Sequence, residues 1–128
     1  MSTAIQGDGT VSKDGGTGTD LLAGLIKAWC SFDHSGSAGS LEYDSLNVSS
    51  YTDSGVGDHE VNFTNAFASA TGYCVTSGGG SGSIGNPGDC IIAGQPETAS
   101  KLDGTARNSS NTKTDRVYIM YQITGDLA

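Results

Sequence analysis

Val117-Tyr118-Ile119-Met120-Tyr121-Gln122-Ile123 alternates with a period of two: Val117, Ile119, Tyr121 and Ile123 fall on one face of an extended chain, Tyr118, Met120 and Gln122 on the other. Such alternation belongs to a β-strand, because a helix would scatter the same residues around its axis. Both faces carry bulk. The stretch therefore reads as a central strand, or as one lying between a core and a subunit interface.

Upstream, Leu25 to Phe32 is an apolar, aromatic run of strand length, closed by the turn formers Asp33-His34-Ser35-Gly36-Ser37. Leu41 to Thr52 reads as one further element, with Leu46, Val48, Ser50 and Thr52 on one face, ending in Asp53-Ser54-Gly55-Val56-Gly57-Asp58. In His59-Glu60-Val61-Asn62-Phe63-Thr64, Val61 and Phe63 alternate with polar neighbours, so a hairpin is expected across residues 53 to 58. Gly72 to Thr76 is a short strand, followed by a low-complexity loop, Ser77-Gly78-Gly79-Gly80-Ser81-Gly82-Ser83, that leads into Cys90-Ile91-Ile92-Ala93. No window of helix length sustains a 3.6-residue period. The expected fold is all-β: an antiparallel β-sandwich or barrel-like knob over residues 25–128, preceded by an extended, flexible, polar N-terminal arm, 1–24.

Composition limits what such a knob can be. Among 128 residues there are 20 Gly, and Leu, Ile, Val and Phe together number only 23. Core material is so scarce that the favourable burial term nearly cancels against the entropy of ordering the chain. Oligomerisation is therefore expected to supply part of the stability. A net charge of −8 and a pI near 4.3 argue against nucleic acid as a partner, since phosphate binding needs clustered Lys and Arg. The longest apolar stretch, Leu21 to Trp29, is interrupted by Gly24 and Lys27 and falls short of a membrane span. The N-terminus lacks the basic and apolar regions of a secretory signal. Cys30, Cys74 and Cys90 form an odd set without C-x-x-C spacing, expected as free, buried, small apolar side chains.

Several local patterns touch on chemistry. Gly15 to Ala23 fits a calcium-binding nonapeptide, but such ions are held between stacked repeats and here there is one copy, so a flexible arm is the simpler reading. Gly80-Ser81-Gly82-Ser83-Ile84-Gly85 is formally G-x-G-x-x-G, yet Asn86-Pro87-Gly88 cannot open the helix that would hold a pyrophosphate. His34 and His59 are the only histidines; each sits beside a turn aspartate, Asp33 and Asp58, and is expected as a solvated loop residue. Cys30 and His34 lack a second ligand pair for zinc. The carboxylate pairs Asp53 with Asp58 and Glu42 with Asp44 are expected to serve their own turns rather than acid-base work. No catalytic, cofactor-binding or metal-ligating residue is assigned.

A connected pattern runs from residue 27 to 73. Lys27-Ala28-Trp29-Cys30-Ser31-Phe32, then Asn47-Val48-Ser49-Ser50-Tyr51-Thr52-Asp53-Ser54-Gly55-Val56-Gly57-Asp58, then Val61-Asn62-Phe63-Thr64-Asn65-Ala66-Phe67 and Tyr73, resembles a module of tailed-bacteriophage virion proteins, described mainly as tail fibres or structural knobs. In that module a K-A-W-x-x-F strand precedes N-V-S-S-x-T-D-x-G-x-G-D and V-N-F-T-x-A-F. The resemblance implies a small β-domain displayed on a virion, a homotrimer, with no catalytic residue to carry over. Because a polar arm stands where a fibre has its long tail-joining part, the expected protein is a non-enzymatic capsid decoration, cement or knob subunit, attached through residues 1–24 to the major capsid protein or another virion protein. Val117, Ile119, Tyr121, Trp29, Val61 and Phe63 are expected in its core or subunit seam. The alternative is a tail-fibre-like receptor binder recognising a host surface glycan through loops 33–40, 53–58 and 77–89, with Tyr43, Tyr51 and Tyr73 stacking on sugar rings. A polysaccharide hydrolase is the third and least favoured reading.

Overall fold

The structure, a computed structural model, describes residues 3–5, 10–13, 19–20, 25–35, 42–80 and 88–128. These residues form eleven strands and no helix: β1 Thr3–Ile5, β2 Thr10–Lys13, β3 Thr19–Asp20, β4 Ile26–Phe32, β5 Glu42–Leu46, β6 Val48–Gly55, β7 Asp58–Phe63, β8 Tyr73–Gly80, β9 Ile91–Thr98, β10 Lys101–Arg107 and β11 Tyr118–Gly125. Two four-stranded antiparallel sheets, ordered β5-β4-β11-β8 and β6-β7-β10-β9, pack as a β-sandwich. As its two bulky faces imply, β11 is central, paired with β4 on one side and β8 on the other.

Alternation builds the core. Ala28, Cys30 and Phe32 of β4 and Ile119, Tyr121 and Ile123 of β11 point inward from one sheet. Val61 and Phe63 of β7 and Leu102 and Ala106 of β10 meet them from the other. Phe63, Phe67 and Tyr73 close one end of the sandwich as an aromatic cluster, with Phe67 and Tyr73 stacked at 4.5 Å. The Tyr73 hydroxyl does not go unsatisfied there, since the Lys101 carbonyl lies 2.7 Å away.

The hairpin expected across residues 53 to 58 joins β6 and β7. Asp53 accepts the Gly55 N–H at 2.9 Å, and Gly57 takes φ 73°, a conformation costly to any residue with a Cβ. Space also selects glycine at 57, because a Cβ would press on the Ala106 carbonyl and the Thr114 amide.

Two expectations are corrected. Leu41 to Thr52 is not one strand: Asn47, at φ 59°, breaks it into β5 of one sheet and β6 of the other. Asn47 holds this switch by accepting the Asn65 N–H at 2.7 Å and donating its side-chain amide to the Asn65 carbonyl at 3.1 Å. Asn tolerates the left-handed region better than other side chains. Second, Ser77 to Gly80 is strand, not loop, because β8 runs so close to its neighbours that a Cβ at Gly79 would strike the Tyr118 carbonyl and the Ile92 side chain. β10, which alternates inward through Leu102, Gly104 and Ala106 with Asp103 and Thr105 between them, lies inside its sheet. In the N-terminal segment β1, β2 and β3 pair as a small antiparallel sheet. The remainder of 1–24, including most of the nonapeptide match, lies outside the described residues, as do 81–87.

The switch at Asn47 yields a prediction. Asn47→Ala is expected to cost about 2–4 kcal/mol, combining left-handed backbone strain with lost hydrogen bonds, and Asn47→Gly about half as much because only the bonds are lost. Urea unfolding curves of the two variants measure the difference.

Candidate functional site

The inward parity of β4, Ala28, Cys30, Phe32, carries on two residues past the strand to His34; that of β7 begins at His59 and continues through Val61 and Phe63. Both histidines are therefore buried, 2% and 1% exposed, not solvated in loops. Asp33 and Asp58 made these positions look like turns. Asp33 does serve its own backbone, accepting the Ser35 N–H at 2.7 Å, but that turn folds His34 inward. Period-two parity was the signal available in the sequence.

The two histidines meet. Their ring centroids lie 4.9 Å apart, at the end of the sandwich opposite the aromatic cluster. Phe32 presents itself to His59 in a T-shaped contact at 5.2 Å and stacks on Tyr51 at 4.3 Å. Tyr121 spans the interior from β11, its hydroxyl 2.8 Å from His59 Nε2 and donating to the Ala93 carbonyl of β9 at 3.1 Å. This crossing has room only because two glycines face each other: Gly94 and Gly104 are paired across β9 and β10. A Cβ at Gly94 would enter the Tyr121 ring, and one at Gly104 would collide with His59 Nε2 and the Tyr121 hydroxyl.

Burial governs the protonation of the cluster. Desolvation, and then the neighbouring His34, push His59 from its ordinary 6.5 down to about 3, and burial drives the Tyr121 phenol far above its usual range. Segment 108–117 covers the cluster. Asp115 lies 3.6 Å from His34 Nε2 and accepts the Gly57 N–H at 2.7 Å, while the His34 N–H donates to the Arg116 carbonyl at 2.8 Å. The buried Arg116 guanidinium donates to the carbonyls of Asp89 and Arg107. These groups are engaged in holding the fold.

The outer faces of the two sheets differ. On β6-β7-β10-β9, Lys101 pairs with Glu60 at 3.1 Å and Glu97 at 3.0 Å, and Lys113 binds Asp58, holding that carboxyl below its usual range. A shallow cavity of about 230 Å³ on this face is lined by Asp58, Gln95, Asp103 and Thr105. On β5-β4-β11-β8 the outer face is mixed, with several large apolar side chains beside Ser31, Asp44, Thr76 and Gln122. Trp29 lies opposite Leu46 and Gln122, Met120 opposite Ser31 and Gly78, and the Tyr43 and Tyr118 rings lie 5.6 Å apart. Leu46, Tyr43 and Met120 are 49%, 40% and 38% exposed.

Other candidate residues fall as follows. Asp53 serves the Gly55 amide while Asp58 turns to Lys113, and Asp44 accepts the Ser45 amide, so these three carboxylates are separately engaged; the Glu42 side chain lies outside the described residues. None of the three cysteines forms a disulfide, but only Cys30 is buried; Cys74 stands exposed on β8 and Cys90 is half-buried. Tyr73 is buried in the core and Tyr51 is partly buried against it, stacked on Phe32; of the three tyrosines only Tyr43 is exposed. Among the described residues no group of three or more His, Cys, Asp or Glu side chains is placed to hold a metal ion, and no helix is long and apolar enough to cross a membrane. Comparison with family models, with curated proteins and with solved structures finds no match.

The glycine gap is testable by contrast. Gly104→Ala is expected to cost about 1–3 kcal/mol by overpacking, whereas Gly78→Ala, whose Cβ would touch only the flexible end of Met120, costs under about 1 kcal/mol. Thermal unfolding of both variants checks this.

Proposed function

We propose that the chain is a non-enzymatic structural protein of a tailed-bacteriophage virion, a β-knob displayed on the capsid as a homotrimeric decoration or cement subunit. The observation that carries this reading is the set of large apolar side chains on the outer face of the β5-β4-β11-β8 sheet. In a chain with so few large apolar residues, Trp29, Leu46, Met120, Tyr118 and Tyr43 gather on one surface, outside the core. A subunit seam gives that placement a purpose, since burial there adds the apolar contact that a small core lacks.

Two further points support the reading. The segments that resemble the phage module coincide with β4 and with the β6-β7 hairpin, which are framework rather than a chemical site. The histidines, and the carboxylates of Asp44, Asp53, Asp58 and Asp115, are engaged in turns, ion pairs and the buried cluster. In this account residues 1–24, with the small β1-β2-β3 sheet, attach the knob to the major capsid protein or another virion protein.

Sedimentation of the purified chain is expected to give a mass of about 39 kDa, three copies of 12.9 kDa. Met120→Glu, placing a charge on the outer face, is expected to shift that mass toward the monomer with an unchanged circular dichroism spectrum. A wild-type monomer at micromolar concentration contradicts the seam. Deleting residues 1–20 is expected to abolish capsid binding while leaving the knob folded; retained binding contradicts the anchor.

A further inference from the structure

His34 and His59, the only histidines in the chain, are brought together and buried. Tyr121 spends its one hydroxyl proton on the Ala93 carbonyl, so the 2.8 Å contact with His59 is an Nε2–H donating to the Tyr121 oxygen. That assignment leaves His59 Nδ1 as the lone-pair nitrogen. It meets no hydrogen-bond partner among the described residues. A proton arriving there finds no acceptor, and the ring is confined by Phe32, His34 and the Gly104 backbone.

The surrounding charges compensate only in part: Asp58 and Asp53 favour the charged ring, but burial and the neighbouring His34 outweigh them. From β6, Asp53 is turned to the Gly55 amide; from β7 itself, Asp58 is held by Lys113. β10 contributes Asp103, whose parity puts it on the outer face, together with Arg107, and β4 contributes the Cys30 thiol. From β11 comes the Tyr121 phenol, from the approach to β9 the Cys90 thiol, and from segment 108–117 Arg116 and Asp115. Asp115 stands beside His34, not His59. Among the described residues no carboxylate serves His59 Nδ1 as a hydrogen-bond partner.

We propose that His59 is an acid-sensitive catch: once charged it carries a second N–H, at Nδ1, that has no acceptor among the described residues of the buried site, so the charged ring is drawn toward water and the end of the sandwich formed by β9 and segment 108–117 opens while the aromatic end stays closed. Buried, His59 holds a proton only near pH 3; released to water it regains 6.5. The open form therefore binds more protons between those limits. The catch is fully engaged above about pH 6.5 and weakens as pH falls toward 3. Opening is favoured roughly 10- to 100-fold at pH 4.5 over pH 7.5.

Hydrogen exchange on the full chain at both pH values, corrected for intrinsic exchange rates, tests this. The His34, Gly57 and Thr114 amides, which tie segment 108–117 down, are expected to lose roughly 10- to 100-fold in protection while Phe63 and Phe67 amides hold theirs. An NMR titration of the His59 ring in the same protein is expected to show it neutral at pH 4.5. His59→Gln should abolish the pH difference; if that variant does not fold, the wild-type titration and exchange still decide. Equal protection at the two pH values, loss spread evenly over both ends, or a His59 ring that titrates near 6.5 overturns the proposal.

Discussion

The sandwich depends on one crossing. Tyr121 leaves the centre of one sheet, fills the space between the two, and ends in hydrogen-bonding contact with His59 of β7 and Ala93 of β9. A chain with 23 large aliphatic and Phe residues cannot fill a wide interior, and around Tyr121 small residues, Ala28, Cys30, Gly104 and Ala106, share the core with Phe32, Leu102, Ile119 and Ile123. Carrying a hydroxyl into that interior is tolerable only with partners in place. Gly94 and Gly104 give the ring its room, His59 and the Ala93 carbonyl give the hydroxyl its bonds, and Phe32 and His34 pack around His59.

The same strand works in two directions. Inward, β11 supplies Ile119, Tyr121 and Ile123 to the core; outward, it supplies Tyr118 and Met120 to the outer face shared with Trp29 and Leu46. In the proposed trimer, subunit contact and core closure would bear on opposite sides of one strand. The polar, ion-paired outer face of the other sheet suits solvent. Polar residues also line its edges: β6 is rich in Ser, Thr and Asp, and β9 carries Pro96, whose missing N–H costs nothing on an unpaired side.

Period-two alternation made much of this legible. It located β4, β7 and β11, fixed the all-β class, and with Gly55 and Gly57 marked the 53–58 hairpin. It did not reach features decided by tertiary contact. Asn47 changes sheets through a left-handed residue whose clasp on Asn65 lies 18 positions away in the chain. Close neighbours exclude a side chain at Gly104 of β10 and at Gly79 of β8, which thins the hydrophobic pattern of both strands. The histidines were misplaced because adjacent aspartates outweighed their parity; the cluster they form with Tyr121 appears only once β4, β7 and β11 converge.

A double-mutant cycle between His59 and Tyr121 tests the central claim most directly, using Tyr121→Phe, His59→Gln and both together at pH 7.5. If the crossing holds the sheets as described, the two substitutions share one loss, and urea unfolding gives a coupling energy of about 1–3 kcal/mol. Strictly additive losses would mean that Tyr121 and His59 act independently, and the sandwich would then depend on apolar packing alone.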